Sequence, residues 1–320
     1  MSVTSATTVA PGTASSGTTL VYDVGSGSDS DSSDTKPLGC QGKIDFLFVI
    51  EGHPVMAESQ GKLIDAFPKF IETIEAKFAD FDYHIMVVGG DDEWGVDLCT
   101  SDCPLLSCKS GDPCCPWSDP EGLPCCPPDY PCDAIEFLDA CDQTMGAGMV
   151  TPAGSNASNQ RCNIANGRRY MTKGQPNLTG TFACVAQVGT NVSDRVGDAV
   201  VGAVSYKLNI DGGCNAGFLR DDALLMVTLI SSANDQSQTY VYPWEWYDKV
   251  LFAKNGDLSA VIALFIGGGA NDCVLHNYPC RFVESFMHHW IADLDEPDYG
   301  PAFDKATELV ETACQDFIPQ

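Results

Sequence analysis

The chain has 320 residues, enough for one large domain or two modest ones with proper cores. Lys and Arg total 17 against 44 Asp and Glu, a formal net charge of −27. That acid excess argues against nucleic acid or an anionic membrane surface as a partner, because phosphate would be repelled. Sixteen cysteines, an even number crowded into one region, read as a disulfide framework made in an oxidising compartment. The rival is a zinc cluster using Cys99, Cys103, Cys108 and the vicinal pairs Cys114–Cys115 and Cys125–Cys126, but zinc sites favour a Cys-x2-Cys knuckle and none occurs.

In chain order, residues 1–39 are mostly Ser, Thr, Gly and Asp. With little to bury, they cannot offset their ordering entropy and are expected to form a disordered tether. They contain neither the basic stretch nor the apolar run of a secretory signal. Leu38-Gly39-Cys40 is faintly similar to a lipoprotein cleavage site, but Pro37 stands where an apolar residue is usual. Export to the cell envelope, the surface or the medium is therefore expected from the cysteines alone. No segment approaches the roughly 18 apolar residues of a membrane span.

From Cys40 the character changes. Ile44–Ile50 is a nearly continuous apolar run, as in a central parallel strand covered on both faces. Leu63, Phe67, Phe70, Ile71, Ile74 and Phe78 then recur at helical spacing, with Pro68 expected to kink or restart the helix. His84–Val88 is a second buried strand. Residues 96 to about 180 hold ten of the cysteines with many prolines and glycines, and read as a disulfide-stapled insertion with one short helix near Ala134–Asp142. Alternation resumes with a helix over Val192–Tyr206, a strand over Ala223–Ile230, a helix over Pro243–Lys254 and a strand over Ala260–Ile266. Helices near Arg281–Trp290 and Pro301–Cys314 close the chain. This pattern specifies a doubly wound, mostly parallel α/β sheet flanked by helices, with ligands expected at the carboxyl ends of the strands. Residues 40–320 are thus expected to form one domain, interrupted by the insertion.

The stretch Asp45-Phe-Leu-Phe-Val-Ile-Glu51-Gly-His53-Pro-Val55-Met56, followed by Ala-Glu-Ser-Gln60, resembles the first strand and loop of von Willebrand factor type A (vWA) domains. Gly146–Asn159, Gly167–Tyr170, Phe182–Thr190 and Gly217–Leu225 are similar to a cysteine-rich bacterial subgroup of secreted vWA proteins and lipoproteins. The resemblance spans about residues 40 to 316. It implies a metal-ion-dependent adhesion site (MIDAS) in which an aspartate and two hydroxyls of the first loop, a threonine of a second loop and an aspartate of a third hold a divalent cation. Here Glu51 takes the aspartate position and His53 and Val55 the two serine positions; Thr190 remains, and Ser232 stands where the third-loop aspartate falls. Hard cations want an octahedron of oxygens with charge from carboxylates. The departures imply a degraded MIDAS, so neither metal nor other cofactor is expected. Some vWA domains also tie their ends together, and termini of such domains often approach; Cys40–Cys314 is the bridge this suggests.

Other constellations are weaker. Glu51 and His53 could join His276 or the His288–His289 doublet in a transition-metal site, but adjacent histidines on a helix diverge by about 100°. Gly267-Gly-Gly269 lacks the Gly-Lys-Ser/Thr of a phosphate loop, and no Gly-x-Ser-x-Gly elbow is present. Asp91, Asp92 and Glu93 read as a solvated acidic loop. Among the aromatics near Tyr240–Tyr247, Trp244, Tyr247 and Leu251 fit a core-facing helical stripe. Sequons at Asn156, Asn177 and Asn191 mark surface loops only in a eukaryotic protein.

The sequence thus points to a non-enzymatic, extracellular or envelope binding module that recognises a protein or glycan without a competent metal site. Two rivals stay open: a cation-dependent adhesin with a rearranged site, and a purely structural envelope component.

Overall fold

A computed structural model of the protein describes residues 42–90, 139–154, 156–190, 194–232, 235–268, 273 and 277–317. The chain divides into two units, Met1–Lys36 and Pro37–Gln320, and every element below belongs to the second. Six strands form one sheet in the order β3-β2-β1-β4-β5-β6. They are β1 (Lys43–Ile50), β2 (Asp82–Gly89), β3 (Met171–Thr172), β4 (Leu224–Ser231), β5 (Val261–Gly267) and β6 (His288–Asp293). All pairings are parallel except β2–β3. The helices are α1 (Ala57–Lys77), α2 (Leu178–Ala186), α3 (Val196–Val204), α4 (Tyr206–Asn209), α5 (Pro243–Ala253), α6 (Tyr278–Glu284) and α7 (Gly300–Asp316). The fold is the mostly parallel α/β sheet flanked by helices that the sequence specifies.

Alternation along β1 splits its side chains between two cores, which is why the run is apolar throughout. Phe46, Phe48 and Ile50 pack with α1, α2 and α7 on one face. Leu47 and Val49 pack with α3, α5 and α6 on the other. On the first face the rings of Phe67 and Phe182 stack at 3.5 Å with Phe48 edge-on at 5.1 Å from Phe182, each pair adding about 0.5–1.5 kcal/mol beyond its buried area. On the second, Gly197 admits the Trp246 indole so closely that a Cβ there would lie 2.1 Å from the ring.

Four expectations are corrected. Helix α1 runs unbroken through Pro68; Pro68 is on the exposed side, where water can take the carbonyl its missing N–H leaves unpaired. The core stripe of α5 is Trp246 and Val250, whereas Trp244 is 53% exposed and Tyr247 and Leu251 are half-buried. The helix expected over Arg281–Trp290 is α6 followed by a sixth strand, β6, because His288–Asp293 satisfies its backbone on the open edge of β5. Of the expected insertion, residues 96–138 and 155, and with them most of the helix near Ala134, lie outside the described residues; Asp139–Asp142 is a turn, and the rest carries β3 and the start of α2.

The disulfides among the described residues are Cys141–Cys214, Cys162–Cys184 and Cys273–Cys280. Cys314 is also disulfide-bonded, while Cys40, its expected partner, lies outside the described residues. No helix among the described residues is long and apolar enough to cross a membrane.

Candidate functional site

Parallel strands deliver their carboxyl ends to one edge of the sheet, where the residues just after β1, β2, β4 and β5 (Glu51, Gly90, Ser232 and Gly268) lie side by side. Main-chain hydrogen bonds extend the ladders past the strands: the Glu51 amide donates to Ile230 O (3.0 Å), Gly90 to Ile50 O (2.9 Å) and Gly268 to Ser231 O (3.1 Å). Glu51 therefore sits at the centre of the edge, fully buried.

Both oxygens of its carboxylate already accept hydrogen bonds from the residue after β4. Oε1 accepts the Ser232 hydroxyl at 2.7 Å and Oε2 accepts the Ser232 amide. Burial pushes the Glu51 carboxyl up to about 7, against the pull of hydrogen bonds from Ser232 and Ser231, and the negative charge of Asp194 adds to the rise. The carboxyl is thus partly protonated at neutral pH, a poor state for a cation ligand.

The other expected residues arrive at the same edge with different duties. Thr190 is buried, and its hydroxyl accepts from Asn156 Nδ2 at 2.8 Å. Gln60, from the first turn of α1, donates through Nε2 to Gly189 O (2.9 Å) and Glu51 O (3.3 Å), fastening the Thr190 loop to the Glu51 loop. His53 caps the 3-10 turn Pro54–Met56, with Nδ1 accepting from the Val55 amide at 3.3 Å. Val55 is 59% exposed on the rim. Glu51 and Ser232 are in direct contact, Thr190 is tied to Glu51 through Gln60, and His53 and Val55 serve the turn.

Three contributors escaped sequence reasoning. Asp194 is buried, with Oδ2 accepting from Gln236 Nε2 at 3.1 Å and Oδ1 without a hydrogen bond among the described residues. Asp198 gathers the amides of Gln238, Thr239 and Tyr240; although burial raises its pKa, Arg195 and these amides bring it below the usual carboxylate range. Asp235, pushed up to about 6 by burial, accepts from the Gly197 amide and the Ser237 hydroxyl. Together they fold the loop after β4 onto the start of α3. The signal available was the density of Asp and Ser around two strand ends, which does not say which acids turn inward.

The form of the histidine constellation that uses His288 and His289 is not assembled. His288 opens β6 opposite Ile262 at the start of β5, so it lies at the amino-terminal edge, away from Glu51. His289 is its neighbour on a strand, not a helix, and its Nδ1 lies 2.6 Å from Phe286 O. His276 and Asp91–Glu93 lie outside the described residues, as do Gly269 and Asn191. Asn156 and Asn177 occupy left-handed turn positions. Among the described residues no three His, Cys, Asp or Glu side chains are grouped to hold a metal. A cavity of about 270 Å³ beside Gly89 is lined by Arg169 and Arg195, but each already pairs with an aspartate, Asp142 and Asp198 respectively.

No protein-family profile matches the chain, and no curated protein sequence matches it. Among solved structures it is similar to proximal thread matrix protein 1 from the mussel byssus. A second crystal form of that protein matches with 12% identity over 86% of this chain and 47% of the other, at a TM-score of 0.37. A form with a zinc-occupied MIDAS motif gives 13% identity, 87% and 46% coverage and a TM-score of 0.36. A third structure gives 11%, 87%, 46% and 0.34. The chain spans less than half the length of that protein, and a likeness this distant carries no argument about function.

Proposed function

We propose that this protein is a secreted or envelope-borne, vWA-like binding module without catalytic activity, whose carboxyl-edge loops recognise a protein or glycan partner without a bridging cation. The observation that carries this reading is the Glu51–Ser232 pair. A hard dication needs ionised oxygens around it. At the position the resemblance assigns to the first ligand, both carboxylate oxygens instead receive hydrogen bonds from Ser232, and the carboxyl titrates near 7. Thr190 is committed to Asn156, and His53 and Val55 offer a turn cap and an apolar surface. This donor set does not fit Mg2+ or Mn2+, so no step of recognition is routed through a metal. The disulfides support an oxidising compartment.

Recognition then rests on side-chain contacts at the rim, with Val55 as its exposed apolar point. The test is a glycan array and a pull-down from extracellular fractions of the source organism, each run in EDTA and in Mg2+. The reading expects a partner captured equally in both, and lost in Val55→Arg. A partner held only in Mg2+ would return the cation-dependent adhesin; no partner in either buffer would return the purely structural role.

A further inference from the structure

At the opposite end of the molecule, α3–α4 and the second half of α5 leave a groove of about 1390 Å³ between them. Both helical segments lead into the next strand, so the groove opens near the amino-terminal edge of the sheet, away from Glu51. Val201 and Val204 form its buried lining. Tyr206 and Phe252 line it too, and they are 81% and 78% exposed. Large rings so open to water are costly unless something covers them.

The charge around these rings is one-sided. Asp211, Asp221 and Asp248 line the groove against a single cation, Lys249, whose Nζ is folded over the Tyr240 ring at 5.8 Å. The Asp211 and Asp248 carboxylates have no hydrogen bond or ion pair among the described residues. On α5 the exposed residues Trp244, Asp248 and Phe252 follow one another at four-residue spacing, so apolar and acidic groups share one outward line. An anionic membrane or nucleic acid would be repelled by these carboxylates.

We propose that this groove docks a basic amphipathic helix of a partner protein. The apolar lining takes an apolar stripe, and Asp211, Asp221 and Asp248 take flanking Lys or Arg. The walls are helices and turns whose backbone presents no strand edge, so an added strand would leave its amides unpaired. A helix arrives with its backbone satisfied and seats its ridge between α3 and α5. Asp248–Ala253, the half of α5 that lines the groove, offers a bed of about 9 Å, somewhat under two turns. This surface is separate from the carboxyl edge, and its failure would leave the function proposed there untouched.

The test uses the full oxidised chain and a fluorescein-labelled Leu/Lys peptide of about 14 residues patterned as one apolar face, with a Leu/Glu peptide of the same pattern. Anisotropy is read at physiological ionic strength. The chain should bind the first peptide and not the second. Phe252→Gln and the pair Asp211→Lys/Asp248→Lys should each weaken binding about tenfold or more. The far-face reversal Asp65→Lys/Glu72→Lys, equal in charge and placed on α1, should weaken it less than about threefold. No binding by the unaltered chain would overturn the proposal. So would equal loss in the far-face pair, or an unchanged affinity in Phe252→Gln, since either reduces the attraction to net charge.

Discussion

The Ser232 hydroxyl donates to Glu51 Oε1 at 2.7 Å while the Ser232 amide donates to Oε2 of the same carboxylate. Residues 181 positions apart are thereby joined where β1 and β4 end. The pair closes the centre of the carboxyl edge from within. It also explains how a carboxyl with no exposed surface is tolerated there, since a buried polar group left without partners costs about 1–3 kcal/mol or more.

Ser232→Ala removes the hydroxyl donor and keeps the amide. The loss should cost about 1–3 kcal/mol when Glu51 is ionised and clearly less when it is protonated, because the neutral acid needs fewer donors. Urea unfolding at pH 5 and pH 8 checks this. A cost that is the same at both values would show that the hydroxyl does not act on the charge of Glu51.

The Glu51 carboxyl has a folded-state pKa of about 7 against an ordinary value of 4.5. Between those values the folded protein holds a proton that the unfolded chain has lost. The group's contribution to stability is therefore fully present below pH 4.5 and is lost as pH rises through about 7. Glu51→Gln keeps an oxygen acceptor and cannot titrate. Relative to the unaltered protein it should gain with pH across that window, by roughly 3 kcal/mol at most. Asp45, raised to about 7, and His84, lowered to about 4, titrate in both proteins and cancel in the difference. A pH-independent difference would contradict the raised pKa.

Much of the fold was legible because the strand runs are apolar on both faces, as only a doubly covered sheet requires. Strand β6 was not, because His288, His289 and Trp290 lack such a run; an unfilled edge on β5 determines their conformation. Nor could spacing alone choose between Trp244 and Trp246 for the core, two residues apart on one helix. Gly197 makes the choice by leaving room for Trp246, whose Nε1 donates to Tyr240 O at 2.7 Å. At the carboxyl edge, the resemblance singled out Glu51, Thr190 and Ser232, which the structure places near one another. It could not show that Ser232 donates to Glu51, or that Asp194 turns inward, because both depend on loop paths.

Gly197→Ala tests that packing. The added methyl has no room against the indole, so overpacking should cost about 1–3 kcal/mol, outweighing the gain of a few tenths to about 1 kcal/mol in helix propensity. Denaturant unfolding reads the sum. A stabilised variant would mean that Trp246 has another place to go.

The disulfides should rank by the loop each closes. Cys141–Cys214 spans 73 residues and Cys162–Cys184 spans 22, which correspond to about 4.5 and 3.4 kcal/mol of lost chain entropy in the unfolded state. Replacing the first pair by Ser should therefore lower stability more than replacing the second. The reverse order would place the main effect in the folded state.

Thermal unfolding of the oxidised protein at neutral pH, in EDTA and in millimolar Mg2+, Mn2+ or Ca2+, tests the absence of a competent cation at Glu51 most directly. A specific ligand at about 100 times its Kd adds roughly 2.7 kcal/mol, several degrees in Tm at most. The account predicts the same Tm in EDTA and in each metal, for the unaltered protein and for Glu51→Gln alike. A rise of several degrees in Mg2+ or Mn2+ that disappears in Glu51→Gln would contradict it.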